Sequence, residues 1–533
     1  MSGTPHARLL AAAGVAALAL VPYAQTASFG PTYDDHHHIT DNAFLDDASH
    51  LRVLASPAYL DAEIPDQGRP VLLATHLVDR ALFGDAFGGR HAHSALWHLA
   101  VSLMVLWLAW RLSGSLVAAA GGAALFAVHP ACVEAVAGVS NREDPIAALF
   151  VLVALWAASR LARGSWAWLG AAFVAFALAL GAKEVAVVAP GLYALLAWAT
   201  PALRPSRAKA LALTGASAVA LGGWALFQHA LGVPSLSIGA GAGPLTPRSA
   251  ALAQAARLHE LGWLEVGPVL AHRAAQLAVG WPLSAEHDPS FFQSPAGLIA
   301  GAVAWMALTV ALALGWRWDR RVTFAAGWLL VASLPTLATP WLLNPVADRY
   351  LYLPAVGVCA CVGARLAERR DARWPRLLLA AALALLGTRA VERAGVWRDD
   401  VTLFDDAARH APESPRAWHN LGVAHLQAGD PERAVIALER ARALDPDRAA
   451  TWLDLGLAHL RRRDASAGLG ALEAAVEAPV LAAERGVHDR AFALYATQLE
   501  RMGLRNRLRD AVARELSRHP DSAPAQAWRR RLE

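Results

Sequence analysis

Long apolar runs constrain this chain more than any other feature of its sequence. A transmembrane helix needs roughly 20 mainly apolar residues, and about eleven runs approach that length. They cover residues 8–27, 94–110, 115–128, 145–159, 166–182, 185–200, 210–230, 296–316, 322–339, 349–367 and 376–392. Hydrophobic residues make up 56% of the chain and charged residues 17%. The sequence therefore predicts an all-α, polytopic membrane bundle over residues 1–392 and a smaller soluble domain over 393–533.

Basic residues set the orientation of these runs. Alternate loops carry many of them, for example Arg160, Arg163, Arg204, Arg207 and Lys209. The loops between carry Arg142, Lys183 and Arg349. By the positive-inside rule, the residues of the second group face outward. The external loop 28–93 and the C-terminal domain then also lie outside, whether the first run is a retained helix or a cleaved signal. We interpret the segment 231–295 as an external loop with interfacial helices, although its moderately apolar stretch 262–285 could also span the membrane.

The C-terminal domain carries a 34-residue repeat. Trp418, Gly422 and Ala434 fall on the tetratricopeptide (TPR) pattern in residues 415–448. Trp452 and Gly456 repeat it in residues 449–482, and a looser third unit covers 489–522. The pattern predicts a TPR α-solenoid, whose concave face binds peptides or partner proteins.

Charge and motifs exclude several functions. The formal net charge is only +4, which argues against a nucleic-acid partner. Three cysteines cannot provide a disulfide framework for 533 residues. We find no Gly-rich nucleotide loop following a strand pattern.

Asp34 and Asp35 stand just beyond the first apolar run, on its external side. Adjacent carboxylates repel each other, so one can serve as a base, or the pair can hold a cation. A solvated turn is the alternative. His36, His37 and His38 follow directly, and their imidazoles could bind a divalent metal ion.

Other charged residues lie beside apolar runs, where a charge is costly unless it faces a wet cavity or a partner. The external candidates of this kind are Glu134, Arg142, Asp144, Lys183, Glu184 and Arg349. Lys183 and Glu184 could form a structural ion pair, or Lys183 could bind a lipid phosphate. His98 could be a hydrogen-bonded core residue.

The order of these motifs resembles the transmembrane and tetratricopeptide-repeat O-mannosyltransferases, which are integral-membrane glycosyltransferases of the GT-C type. The resemblance rests on residues along the whole chain: Tyr33-Asp34-Asp35, Arg69-Pro70, His91 to His98, Leu125 to Pro130, Glu134, Arg142 to Asp144, Lys183-Glu184, Asp348 to Pro354, and Trp397 to Phe404.

The resemblance implies an enzyme that transfers a sugar, mannose in the family, from a polyprenyl-phosphate carrier to Ser or Thr hydroxyls of exported protein. It implies Asp34 or Asp35 as the catalytic base, and Lys183, Arg349 and Arg142 as ligands of the donor phosphate. Glu134, Asp144, Glu184, His98 and Arg69 would position donor or acceptor. No cofactor is implied with certainty. The TPR domain would hold the acceptor polypeptide.

The Ala- and Arg-rich composition favours a bacterial source, and therefore the inner (cytoplasmic) membrane with a periplasmic active site. Two other functions remain open. One is a non-catalytic TPR scaffold for envelope proteins. The other is a transporter of lipid-linked sugars, which would need charges along a path open to both sides.

Overall fold

The protein folds as two helical units. The structure is a computed structural model, and it describes residues 4–62, 64–231, 263–287, 292, 294–337, 346–368, 373–479 and 485–533. The first unit holds the described residues up to Asp399, apart from Glu286 and His287. The second unit holds Glu286, His287 and the chain from Asp400. The described residues contain helices and no strand, which confirms the all-α prediction.

The first unit has fourteen described α-helices. They are α1 (Pro5–Leu20), α2 (Pro70–Phe83), α3 (Phe87–Ser113), α4 (Leu116–Ala127), α5 (Val133–Ala137), α6 (Glu143–Arg163), α7 (Ala167–Ala182), α8 (Ala189–Ala199), α9 (Arg207–Ala230), α10 (Trp263–Val279), α11 (Pro295–Trp318), α12 (Arg320–Leu337), α13 (Tyr352–Glu368) and α14 (Arg373–Val396). Each of the predicted apolar runs coincides with one of these helices.

Six described helical segments are long and apolar enough to cross a membrane, and the bent pair of α4 with Pro130–Ala137 would make seven. The six are Pro5–Ser28, Phe87–Ser113, Ser140–Arg163, Arg207–Ala230, Pro295–Trp318 and Asp348–Glu368. This count is lower than the predicted eleven, because α7 and Glu184–Ala199 have only 16 residues each, and neither of the described helices α12 and α14 is both long and apolar enough to be counted. The chain is a multi-pass membrane protein.

Close helix contacts hold the first unit together. A side-chain carbon on Gly122 of α4 would lie 2.7 Å from the carbonyl oxygen of Ala360 in α13. Only glycine lets these two helices approach so closely. The stretch 262–285 contributes α10, whose Leu270 packs with Leu308 and Leu337 of α11 and α12. Helix α10 is therefore part of the helical packing of the first unit. Residues 232–262 of the predicted external loop lie outside the described residues.

The external loop is an ordered part of this unit. It forms short 3-10 and π turns before α2, including Val21–Ser28, His36–Thr40, Ala43–Asp46, Ala48–Ala55 and Pro57–Tyr59. Ile39, Leu45 and Tyr59 pack with Leu73 and Leu77 of α2. This small apolar core fixes the segment that carries Asp34 and Asp35.

The second unit is the α-solenoid. Its helices are α15 (Asp400–His410), α16 (Pro415–Gln427), α17 (Pro431–Leu444), α18 (Ala449–Arg461), α19 (Ala465–Glu477), α20 (Arg485–Arg501), α21 (Arg505–Arg518) and α22 (Ala523–Leu532). The predicted repeats are thus helix pairs. Trp418 Nε1 donates to the carbonyl of Pro412 at 2.9 Å, and Trp452 Nε1 donates to that of Pro446 at 2.7 Å. The same hydrogen bond therefore occurs at the start of the first helix in both repeats.

Candidate active site

The two adjacent aspartates of the external loop differ in environment. Asp35 is fully buried and accepts hydrogen bonds from the backbone N–H groups of Ser140, at 2.7 Å, and Thr32, at 3.2 Å. Burial raises the pKa of Asp35 to about 6 and outweighs these hydrogen bonds, which lower it. Asp35 therefore ties the external loop to the turn that precedes α6.

Asp34 is only half-buried. It makes no hydrogen bond or ion pair with the part of the chain that the structure describes. Its carboxylate lies within electrostatic range of Arg349 and His38. The preceding residue, Tyr33, has a φ of 53°, a conformation that is rare for a large side chain and is often found at functional sites. Asp34 is thus the carboxylate of this pair that can accept a proton from a ligand.

Arg349 and Glu134 form a tight pair. The Arg349 guanidinium donates to a Glu134 oxygen, and the Arg349 backbone N–H donates to the other at 3.2 Å. The Arg349 guanidinium carbon also lies 5.4 Å from the centre of the Tyr350 ring. Glu134 on α5 therefore positions Arg349 close to Asp34.

Lys183 lies between two acids at the start of α6. Its Nζ is 2.8 Å from Glu143 Oε1 and 2.7 Å from Asp144 Oδ2. Glu184 does not pair with Lys183, but with Arg69, at 3.1 Å. Lys183 and Glu184 therefore form ion pairs with different segments of the chain.

Arg69 is the centre of a wider network. In addition to Glu184, it pairs with Glu143, and with Asp66 at 3.3 Å. Asp66 in turn accepts from His38 Nδ1 at 2.6 Å. Burial favours neutral His38, but the Asp66 carboxylate overrides it and raises the pKa of His38 to about 9. Charges therefore alternate from His38 through Asp66, Arg69 and Glu143 to Lys183.

Arg142 and His98 lie in other buried contacts. The Arg142 guanidinium is 0% exposed and donates to Asp79, to Ser94 Oγ at 2.9 Å and to the carbonyl of Arg90 at 2.7 Å. His98 contacts the Tyr352 hydroxyl at 2.8 Å and the carbonyl of Ala127 at 3.1 Å. Both side chains have contacts that suit a structural role.

Several charged residues of this region were not singled out from the sequence. Asp66 and Glu143 form ion pairs with Arg69, and each is close in sequence to a predicted site residue, which could have indicated them. Arg273 was also missed. It shares the apolar stretch 262–285 with Glu265, is only 1% exposed, and its Nη1 donates to Thr336 Oγ1 at 2.8 Å.

Potential metal ligands gather in the second unit. Among the described residues, His488, Glu515 and His519 form one group whose ligand atoms all lie within 4.8 Å of one another. His488 Nε2 already contacts Glu515 at 3.0 Å, as expected for a buried hydrogen-bonded pair. His38, by contrast, is engaged with Asp66.

Comparison with known proteins agrees with this architecture. The family model of the tetratricopeptide repeat matches residues 415–448, the first predicted repeat. The sequence is 25% identical to protein O-mannosyl-transferase Tmtc1 of Drosophila melanogaster, over 82% of this chain and 62% of the relative. Tmtc2 of the same fly is 31% identical over 32% of this chain and 20% of its own length.

The human protein O-mannosyl-transferase TMTC4 is 29% identical over 22% of this chain and 16% of its own length. The chain spans about three fifths of the length of Tmtc1. The molecule is thus an all-α membrane protein with a TPR unit. Its sequence resembles the transmembrane and tetratricopeptide-repeat O-mannosyltransferases, as the order of its motifs predicts.

Proposed function

We propose that this chain is a membrane glycosyltransferase of the GT-C type. It transfers a sugar, mannose by analogy with its relatives, from a polyprenyl-phosphate carrier to Ser or Thr hydroxyls of exported protein. The observation that carries the proposal is Asp34. This carboxylate is half-buried, lies near Arg349 and has no partner among the described residues.

The chemistry follows from that placement. The acceptor hydroxyl attacks the anomeric carbon of the sugar, and Asp34 takes its proton. The bond from the sugar to the phosphate oxygen breaks, and the electron pair leaves with the lipid phosphate. Arg349 and Lys183 both lie near the Tyr350 ring. They would stabilise the negative charge that develops on the departing lipid phosphate.

The other predicted site residues support this arrangement indirectly. Glu134 positions Arg349, whereas Asp144, together with Glu143, positions Lys183. Arg69 and Glu184 connect this network to the external loop. We leave Arg142 out of the phosphate site, because its guanidinium already bonds Asp79, Ser94 and the carbonyl of Arg90.

The location and partners belong to the same proposal. The basic residues on alternate loops support an active site and TPR unit on the outer face of a bacterial cytoplasmic membrane. The TPR unit would hold the acceptor polypeptide. The residues do not call for a metal ion in the proton transfer, which a carboxylate performs by itself.

Sugar transfer in isolated membranes tests the proposal. Membranes with wild type, Asp34→Asn or Asp41→Asn receive labelled polyprenyl-phosphate sugars, and label in exported protein is measured. Asp34→Asn keeps the shape of the side chain but cannot take a proton, so transfer should fall about 10²–10⁴-fold. Asp41 is exposed in the same loop, and Asp41→Asn should transfer at the wild-type rate.

Two results would overturn the proposal. Wild-type transfer by Asp34→Asn would remove Asp34 as the base. Donor-independent background in all three membranes, at matched amounts of inserted protein, would indicate the scaffold instead.

A further inference from the structure

Arg273 carries a charge that no described acid neutralises. It lies on α10 and is 1% exposed. Its Nη1 donates to Thr336, while its Nη2 is buried without a hydrogen-bond partner among the described residues. No acid within the described residues forms an ion pair with it. A buried, unpaired guanidinium costs several kcal/mol, so it points to an anionic ligand.

The surroundings of Tyr350 support this conclusion. Three cations lie near this one ring, with Lys183 at 5.8 Å, Arg349 at 5.4 Å and Arg273 at 5.9 Å from its centre. A ring has two faces, so at least two of the cations share a face and repel each other. Each is attracted to the ring, but cation–π attraction is weak beside the cost of an uncompensated buried charge.

The acids of the site neutralise two of these cations. Lys183 is paired with Glu143 and Asp144, and Arg349 with Glu134. Arg273 is the cation of this group that has no described acid. An anionic ligand beside Tyr350 can neutralise it.

We propose that Arg273 binds the phosphate of the lipid-linked sugar donor. This inference rests on the proposed function for the identity of the ligand. A guanidinium binds phosphate oxygens through two parallel hydrogen bonds, and the free Nη2 supplies a donor for that contact. Arg273 thereby holds the leaving group near Arg349 and Tyr350.

Donor binding without acceptor tests this assignment separately from catalysis. The full chain is placed in phosphatidylcholine nanodiscs, and the Kd of a labelled polyprenyl-phosphate mannose is measured. Arg273→Met should weaken binding at least about thirtyfold, since it removes a buried charged contact. Arg273→Lys keeps the charge but loses the two-bond geometry, and should give an intermediate Kd.

Two further variants serve as controls. Arg52→Met alters an exposed arginine of the external loop and should leave the Kd unchanged. Asp34→Asn should abolish transfer but retain donor binding, which separates this inference from the proposed function. Melting of each variant confirms that it is folded.

Competition identifies the source of the phosphate. Unlabelled donor should displace the probe at lower concentration than polyprenyl diphosphate, phosphatidic acid or inorganic phosphate. Equal displacement by any of these three would overturn the assignment of the sugar donor as the ligand of Arg273. Wild-type affinity in folded Arg273→Met would overturn the role of Arg273, whether or not the protein transfers sugar.

Discussion

Asp34 and Asp35 show how far two identical neighbours can differ. Asp35 is buried and accepts hydrogen bonds from the backbone N–H groups of Ser140 and Thr32. Asp34, the preceding residue, is half-exposed and lies near Arg349. Asp35 accepts a hydrogen bond on each oxygen, whereas no described group donates to Asp34. At the residue scale, the hydrogen bonds of Asp35 leave Asp34 as the proposed base.

Asp35 also predicts a pH dependence of stability. Its pKa is about 6 in the folded chain and 3.8 in a free side chain, so the folded state holds the proton more tightly. Stability from this group therefore falls as pH rises from about 4 to 6, by roughly 2–3 kcal/mol in total, and is constant above that.

Comparison with Asp35→Asn isolates this effect. Asparagine does not titrate, so the melting temperature of wild type relative to Asp35→Asn should decrease between pH 4 and pH 7. The measurement is thermal unfolding of both proteins in the same detergent. A difference that stays constant over this range would show that Asp35 does not take up a proton on folding.

The sequence identified charged residues at costly positions better than it predicted their partners. A charge beside an apolar run is costly, and this cost identified Lys183, Glu134 and Arg349 from composition. Their partners could not be predicted, because Lys183 pairs with acids about 40 residues away and Arg349 with Glu134, 215 residues away. Helix packing brings these pairs together, and no local pattern encodes it.

At the scale of elements, small residues determine how the solenoid helices approach. A side-chain carbon on Gly422 of α16 would lie 2.5 Å from Leu438 Cγ of α17. Gly456 and Leu472 repeat this contact 34 residues later, at 2.8 Å. Glycine at this position of the repeat is therefore a packing requirement.

Two glycine substitutions test this requirement. Gly422→Ala forces α16 and α17 apart and should destabilise the TPR unit by about 1–3 kcal/mol. Gly470→Ala lies on α19, where an added carbon meets nothing within 4 Å, and should stabilise it by about 0.5–1 kcal/mol. Hydrogen exchange of α16 to α19 in the full chain reports both. Equal exchange in the two variants would contradict the packing argument.

Element type was easier to predict than element function. Every predicted apolar run is helical, because periodic apolar sequence with few helix breakers leaves little alternative. The number of spans was not predictable in the same way, since α7 and α8 are too short to count as spans, and neither α12 nor α14 is both long and apolar enough.

At the scale of the whole molecule, the basic loops predict which surfaces face the same compartment. Ser517 on α21 and Ser165 between α6 and α7 are both exposed, and the three native cysteines are buried. Ser517→Cys should react with a membrane-impermeant thiol reagent in intact spheroplasts, whereas Ser165→Cys should react only after lysis.

The reverse labelling pattern would invert the orientation and place Asp34 inside. Labelling of both variants in intact spheroplasts would show a leaky preparation. The wild type, whose three cysteines are buried, gives the background labelling. The outcome of each labelling experiment is read against the total reactive thiol after lysis.

The alternating charges from His38 to Lys183 also bear on how the protein is made. Glu143 and Asp144 leave the ribosome 40 and 39 residues before Lys183, which neutralises them. Until Lys183 is synthesised, the two carboxylates at the start of α6 lack these ion pairs. Unpaired carboxylates are costly next to a membrane. Helices α6 and α7 should therefore enter the bilayer as a hairpin, so that biogenesis, and not only catalysis, keeps these positions charged.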